Sequence, residues 1–323
     1  MLRDLTSGKD AQVAAVRAVI AAAHPDVLVL TSFDWDYEGR ALSALNQGLT
    51  APYPFQFSAR PNSGWATDLD LDGDGRRGGA GDAQGFGRFA GQGGVAVLSR
   101  LPILEDGFRD FSGFLWRDLP GSLIGGAALS PGAQAVQRLS STVHWDLPVQ
   151  MPNGAPLHLW IFAATPPVFD GPEDRNGRSN HDEAAFWLRY LEGGLPDKPA
   201  KAPFVLLGDA NLDPLDGDGR PEALRALLAH PAVQDPVPRS AGGVAAAGQG
   251  GDNSTHRGDP ALDTADWPDA PGPGNLRVDY VLPAAMLKVT GAGVYWPAPE
   301  APGAAEAAAA ARHHLVWADI SLQ

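Results

Sequence analysis

The sequence predicts an α/β fold in which a two-layered sheet core carries helices on its outside. Three observations predict it. An amphipathic helix runs straight into an all-apolar strand, the pattern of a sheet covered by helices. Many short apolar stretches follow, with only a few helical ones between them. The chain also holds 39 glycines and 29 prolines, roughly a fifth of its residues and above the usual share. That richness excludes a coiled coil or helical bundle, and the lack of a three-residue period excludes collagen.

The elements follow in order. Asp10 stands at an N-cap position, and Val13, Val16, Val19, Ile20 and Ala23 recur on one face, which predicts a helix ended by Pro25. Val27, Leu28, Val29 and Leu30 then read as a buried strand. From residue 53 to 93 glycine and aspartate dominate without periodicity, so a long, structured surface insertion is expected. Gly94–Ser99 is the next strand, closed by Arg100, Leu101 and Pro102. Further strands are expected at 141–145, 157–162, 204–207, 278–282, 289–296 and 315–320. Helical spacing marks 186–191 and 221–229. Segments 240–251 and 297–311 read as mobile or loosely packed. Within the second, 304–312 has a helix propensity that so short a stretch leaves undecided. With no repeat and no linker, one domain over residues 1–323 is the simplest organisation.

Composition limits the partners. Lys+Arg number 24 against 38 Asp+Glu, a net charge of −14. That disfavours nucleic acid, whose backbone needs a basic footprint. There is no cysteine, hence no disulfide framework, thiolate metal site or thiol nucleophile. No apolar run reaches membrane-spanning length. Met1, Leu2, Arg3 and Asp4 lead into no signal-peptide core.

The chemistry concentrates late in the chain. Gly208-Asp209-Ala210-Asn211 follows the strand at 204–207, and residues two apart on a strand point the same way. A carboxylate at a sheet's edge can hold a hard cation or orient water, and the amide can donate to a developing oxyanion. The competing reading is an Asx pair that merely caps the strand. Asp279, inside Arg277-Val278-Asp279-Tyr280-Val281-Leu282, needs a partner, because an unpaired carboxylate in a strand is expensive. His313 and His314 open the last strand. A carboxylate bonded to an imidazole fixes its tautomer and raises its basicity.

In these pieces, together with Gly94–Ser99 and Arg100-Leu101-Pro102-Ile103, the chain resembles the endonuclease/exonuclease/phosphatase superfamily. The run Thr165-Pro166-Pro167-Val168-Phe169-Asp170-Gly171-Pro172-Glu173-Asp174-Arg175-Asn176-Gly177 looks like the signature of a bacterial, usually exported branch, as does Asp213-Pro214-Leu215-Asp216-Gly217-Asp218. The resemblance implies a four-layered α/β sandwich, two mixed and largely antiparallel sheets face to face with outer helices, that cleaves phosphoesters with a divalent cation. It implies Asp209 and Asn211 beside the scissile phosphate, His314 on a phosphate oxygen, and Asp279 orienting His314. It favours an extracytoplasmic location.

The sequence departs from the family pattern at four places. Ser32 stands where the metal-binding glutamate is expected, and His313 where an aspartate precedes the histidine. Ala163 replaces a histidine before the Thr-Pro-Pro run, and the family's first strand, with its asparagine, has no counterpart upstream of Met1. Mg²⁺ needs carboxylate oxygens in near-octahedral geometry. Asp209 with His313 is therefore expected to bind Mg²⁺ weakly, and imidazole ligands tilt the site toward Mn²⁺ or Zn²⁺.

Three other groups stand out. Asp68, Asp70, Asp72 and Asp74 begin like a structural Ca²⁺ loop, although the twelfth position is Gly79, with Asp82 close enough to substitute. The alternative is a solvated Asx-turn loop. Residues 170–183 gather Arg175, Asn176, Asn180 and His181 among acidic neighbours, either as a rigid substrate-binding rim or as a self-satisfied network stapling a long loop. Trp65 is a candidate for stacking on a sugar or base, whereas the other tryptophans are expected to pack.

Two functions follow. The first is a divalent-metal-dependent phosphoesterase acting on a phosphate-bearing small molecule or lipid head group rather than DNA. The second, motivated by Ser32, Ala163 and His313, is a degenerate relative, a pseudoenzyme that binds an anionic ligand or partner without hydrolysis.

Overall fold

A computed structural model of the protein describes residues 1–321. The N-terminal part comprises α1 (Leu2–Ser7), α2 (Ala11–Ala23), β1 (Val27–Phe33), α3 (Arg40–Gln47), β2 (Phe55–Phe57) and β3 (Gly94–Ser99). Both β1 and β2 pair antiparallel with β3, which is therefore central in a three-stranded sheet. Next come β4 (Arg109–Asp110), α4 (Pro131–Val136), β5 (Val143–Gln150), β6 (Pro156–Ala163), α5 (Arg175–Leu191), β7 (Phe204–Asp209), α6 (Glu222–Leu228) and α7 (Ala241–Ala246). A short ribbon, β8 (Ala265–Asp266) and β9 (Asn275–Leu276), precedes β10 (Asp279–Pro283), β11 (Lys288–Tyr295), α8 (Ala304–Ala310) and β12 (Leu315–Ser321). The second sheet has the order β10-β7-β6-β5-β4; only β6 and β7 run parallel. β11 and β12 form a separate antiparallel hairpin.

The alternation of side chains along each strand makes four layers. On β3, Val95 and Val97 face the second sheet, where they meet Val143, Trp145, Leu147, Leu159 and Ile161. Ala96 and Leu98 face the other way, onto Ile20 of α2 and Leu42 and Leu45 of α3. On the far side of the second sheet, Trp160, Phe162, Leu206 and Tyr280 meet Phe186, Trp187 and Tyr190 of α5 and Leu224 and Leu227 of α6. A period of two thus sends one set of side chains into the intersheet core and the other under helices. Trp160 stacks on Phe204 at 3.9 Å and on Trp187 at 5.6 Å. Trp116, Trp145, Trp160 and Trp187 are core residues, as expected. No described helix is long and apolar enough to cross a membrane.

Asp10 caps α2 by accepting from the Val13 amide. Three segments differ from expectation. Residues 170–183 are not an extended loop: α5 begins at Arg175. Segment 240–251 is not loose, because the Ser240 hydroxyl accepts from the Gly243 amide at 3.0 Å and starts α7. Segment 297–311 contains α8, whose Ala310 packs on Ala15 and Val19 of α2. Packing decided what propensity left open. Ser240→Ala removes a cap and is expected to lower unfolding stability by about 1 kcal/mol. A urea midpoint equal to wild type would show that tertiary contacts alone hold this helix.

Candidate active site

Four adjacent strands, β5, β6, β7 and β10, meet at one edge: Val143 lies opposite Ala163, Ala163 beside Asp209, and Asp209 opposite Asp279. Gly208 makes this possible. Its φ is +141°, and a Cβ there would lie 1.9 Å from the Phe162 carbonyl oxygen, so β7 can sit this close to β6 only with glycine.

Asp209 is 6% exposed. Its carboxylate accepts from the Asn211 backbone amide at 2.7 Å and the Asn211 side-chain amide at 2.9 Å. Burial, and then the Asp279 carboxylate, push its pKa up to about 7, against the lowering effect of His313 and Asn211. Asp279 is held by the Thr264 hydroxyl at 2.9 Å and by Nδ1 of His313 at 3.0 Å. Burial works against the imidazolium of His313, but Asp279 and then Asp209 outweigh it and raise the pKa to about 10. Oxygens of Asp209 and Asp279 and a ring nitrogen of His313 all lie within 4.8 Å of one another. Trp267 meets the His313 ring edge-on at 5.1 Å.

The structure corrects the pairing of the two histidines. Asp279 orients His313, not His314. The His314 ring stacks on Trp296 at 4.0 Å and is 6% exposed, and its Nε2 has no hydrogen-bond partner among the described residues. Burial drives its pKa down to about 4. In this structure the ring is covered and packed on Trp296. Asn211 also departs from expectation. Its side-chain amide donates to Ala164 O at 2.8 Å as well as to Asp209, which uses both protons and leaves none for an oxyanion. Ser32 is exposed at a bulge near the end of β1 with φ +55°, and β1 brings no carboxylate to the described cluster.

The four residues read as either a substrate-binding rim or a self-satisfied network are hydrogen-bonded within the protein. Asn180 donates to Thr165 O at 2.7 Å and Ala210 O at 2.8 Å, tying the loops after β6 and β7 to α5. One turn on, Glu183 accepts from the Thr165 amide, the Ser141 amide and the Ser141 hydroxyl. Asn176 bonds Val168 O and, through its backbone, Asp170. His181 bonds Asp182, whose other oxygen takes Trp116 Nε1 and the Leu123 amide. Arg175 donates to Leu71 O at 2.6 Å.

The acidic insertion is also internally bonded. Asp70, Asp72 and Asp74 approach one another within 4.8 Å, without Asp68. Asp70 caps the amides of Gly73 and Gly75, and Asp74 that of Arg76. Asp82 does not complete a calcium loop: it is buried and accepts from the Leu71 and Gly79 amides. Two residues that matter here were invisible in the sequence. Thr264 carries no local motif, and Glu183 stood out only as one acid among many.

Comparison with known proteins comes after this geometry. The model of the Endonuclease/Exonuclease/phosphatase family matches residues 5–313. Among solved structures, an endonuclease/exonuclease/phosphatase from Beutenbergia cavernae aligns at TM-score 0.56 and 16% identity over 96% of this chain. The alignment spans 65% of the Beutenbergia chain's own length. A family protein from Leptotrichia buccalis aligns at TM-score 0.54 and 14% identity, covering 96% of this chain and 93% of that one. A third, from Bacteroides vulgatus, gives TM-score 0.52 and 12% identity, with 97% and 91% covered. These likenesses show a shared fold. No curated protein matches the chain.

Proposed function

The chain belongs to the Endonuclease/Exonuclease/phosphatase family, and from that premise we propose that it hydrolyses a phosphoester with a divalent cation at Asp209, Asp279 and His313. One observation carries the reading: two carboxylates on neighbouring strands face one imidazole at the sheet's edge. Neither carboxylate forms an ion pair with lysine or arginine among the described residues. Burial first, and then the neighbouring Asp279, raise the pKa of Asp209, and the donor set of two carboxylates and one imidazole suits Mn²⁺ or Zn²⁺ better than Mg²⁺. Asp209 and Asp279 would hold the cation, which supplies Lewis-acid stabilisation of phosphoryl charge when bound.

The chain's own groups have distinct tasks. Asp209 accepts a proton from the attacking water. In the metal-free protein Asp279 keeps His313 cationic; to join the donor set His313 would give up a ring proton and bind as a neutral imidazole. Thr264 holds Asp279 in place for that pairing. Asn211 and Asn180 fix the strand-end loops and touch no substrate in this reading. The net charge of −14 favours a small or lipid-linked phosphoester over DNA.

The test is turnover of bis(p-nitrophenyl) phosphate and p-nitrophenyl phosphate with Mn²⁺, Zn²⁺, Mg²⁺ or Ca²⁺. Hydrolysis that EDTA removes and a cation restores is the expected result. No turnover with any cation, combined with tight binding of the esters, would replace this reading by the non-hydrolytic one.

A further inference from the structure

In a chain with excess acid, two arginines stand together without a carboxylate partner. The guanidinium carbon of Arg60 lies 3.8 Å from the Trp65 ring centroid and that of Arg138 lies 4.2 Å from it. Neither arginine forms an ion pair among the described residues. Burial, and to a lesser degree Arg60, lower the pKa of Arg138, with Asp110 acting in the opposite direction. Both remain cations, since arginine does not deprotonate in proteins.

The pair is mounted with care. Asn62, fully buried, accepts from Arg138 at 2.7 Å while its own amide donates to Ser112 O and Ser140 O. Trp65 folds back on Asn62 through a backbone bond at 2.8 Å. Gly64, at φ +68°, lets this turn lie against Phe89 O, where a Cβ would stand 1.9 Å away. With arginines at the indole, Trp65 is a support for guanidinium groups and not a platform for a base.

The location gives the pair its meaning. Pro61 abuts Gly94 at the start of β3, and the Asn62 amide donates to Thr142 O just before β5. The loop therefore bridges the two sheets at the edge that holds Asp209, beside the start of β5, which is two strands from β7. We infer that Arg60 and Arg138 form an anion subsite that binds a second negatively charged group, a phosphate or carboxylate, of the phosphoester held at Asp209. The inference rests on the hydrolytic reading for its substrate, but the subsite's anion binding stands apart from turnover.

Two measurements test it. Calorimetric binding of inorganic pyrophosphate to the protein without added metal is expected to weaken at least tenfold in Arg60→Gln/Arg138→Gln, and to hardly change in Arg3→Gln, which removes an exposed charge elsewhere. Equal affinity in wild type and the double variant overturns the subsite, whatever the turnover assay gives. For kinetics, thymidine 3′-phosphate 5′-(p-nitrophenyl phosphate) is compared with its 3′-hydroxyl counterpart. The double variant should raise KM about tenfold for the first and leave kcat and the second substrate unchanged. Equal losses on both substrates would make the arginines structural and end the proposal. Because Arg138 bonds Asn62, Arg60→Gln alone, at an exposed position, serves as the fold-safe variant, with a loss of about threefold to fivefold in both readouts.

Discussion

Asp209→Asn is expected to lower turnover roughly 10³-fold, in the range a positioned general base supplies, while the fold persists. In the proposed reaction the side chain accepts the water's proton, and the amide that replaces it is not a base. Stability moves the other way in the metal-free protein. The folded carboxyl of Asp209 titrates at about 7 against 3.8 unfolded. A raised carboxyl pKa gives stability that is complete below the unfolded value and lost as pH rises through the folded one. At pH 8 wild type has lost that contribution, and the uncharged variant has nothing to lose. Less the poorer fit of an amide beside Asn211, the variant should be more stable there by on the order of 1–2 kcal/mol. Added Mn²⁺ or Zn²⁺ should raise the wild-type melting midpoint and shift the variant's much less, because a cation stabilises only the fold that binds it. Thermal shifts at pH 8 with and without metal, beside kinetics, check all three. Turnover within tenfold of wild type would take Asp209 out of the chemistry.

Much of this site was legible in the sequence, and the failures have physical causes. Asp209 and Asp279 could be found because each lies in a strand whose neighbours are apolar, so a carboxylate there stands out. The choice between His313 and His314 could not be made. Successive side chains at a strand's start point to opposite faces, and nothing local says which face meets Asp279. Residues 170–183 left two readings open for a different reason. Their polar side chains face inward, onto the peptide groups of Thr165 and Ala210. An inward polar helix face is indistinguishable from a polar loop until its partners are known. The layers of the sandwich were legible because the period-two pattern of β3, β5 and β6 is itself the partition between the intersheet core and the helix-covered faces.

Glu183→Ala should lower stability by about 3–5 kcal/mol. Glu183 is fully buried, and its removal leaves the Thr165 and Ser141 amides without acceptors. Each orphaned amide costs about 1–3 kcal/mol. The dependence on pH separates this from a simple cavity. Burial, and more weakly Asp209, raise the Glu183 pKa from 4.5 to about 8, against the three hydrogen bonds it accepts. The neutral acid fits the site: one oxygen accepts from Thr165, and the other can donate to the Ser141 hydroxyl, which in turn reaches Ala163 O at 3.3 Å. The glutamate's contribution is therefore complete below about pH 4.5 and falls as pH rises through 8. The gap between wild type and variant should be widest near pH 5 and narrow toward pH 9, as read from urea midpoints at both. A gap independent of pH would mean that Glu183 is ionised throughout and that its role is to accept hydrogen bonds as an anion. Activity should fall in step with stability, because Thr165 follows β6 and Ser141 precedes β5 at the edge that holds Asp209. A variant that unfolds readily yet turns over at the wild-type rate would separate the loop staple from the site it supports.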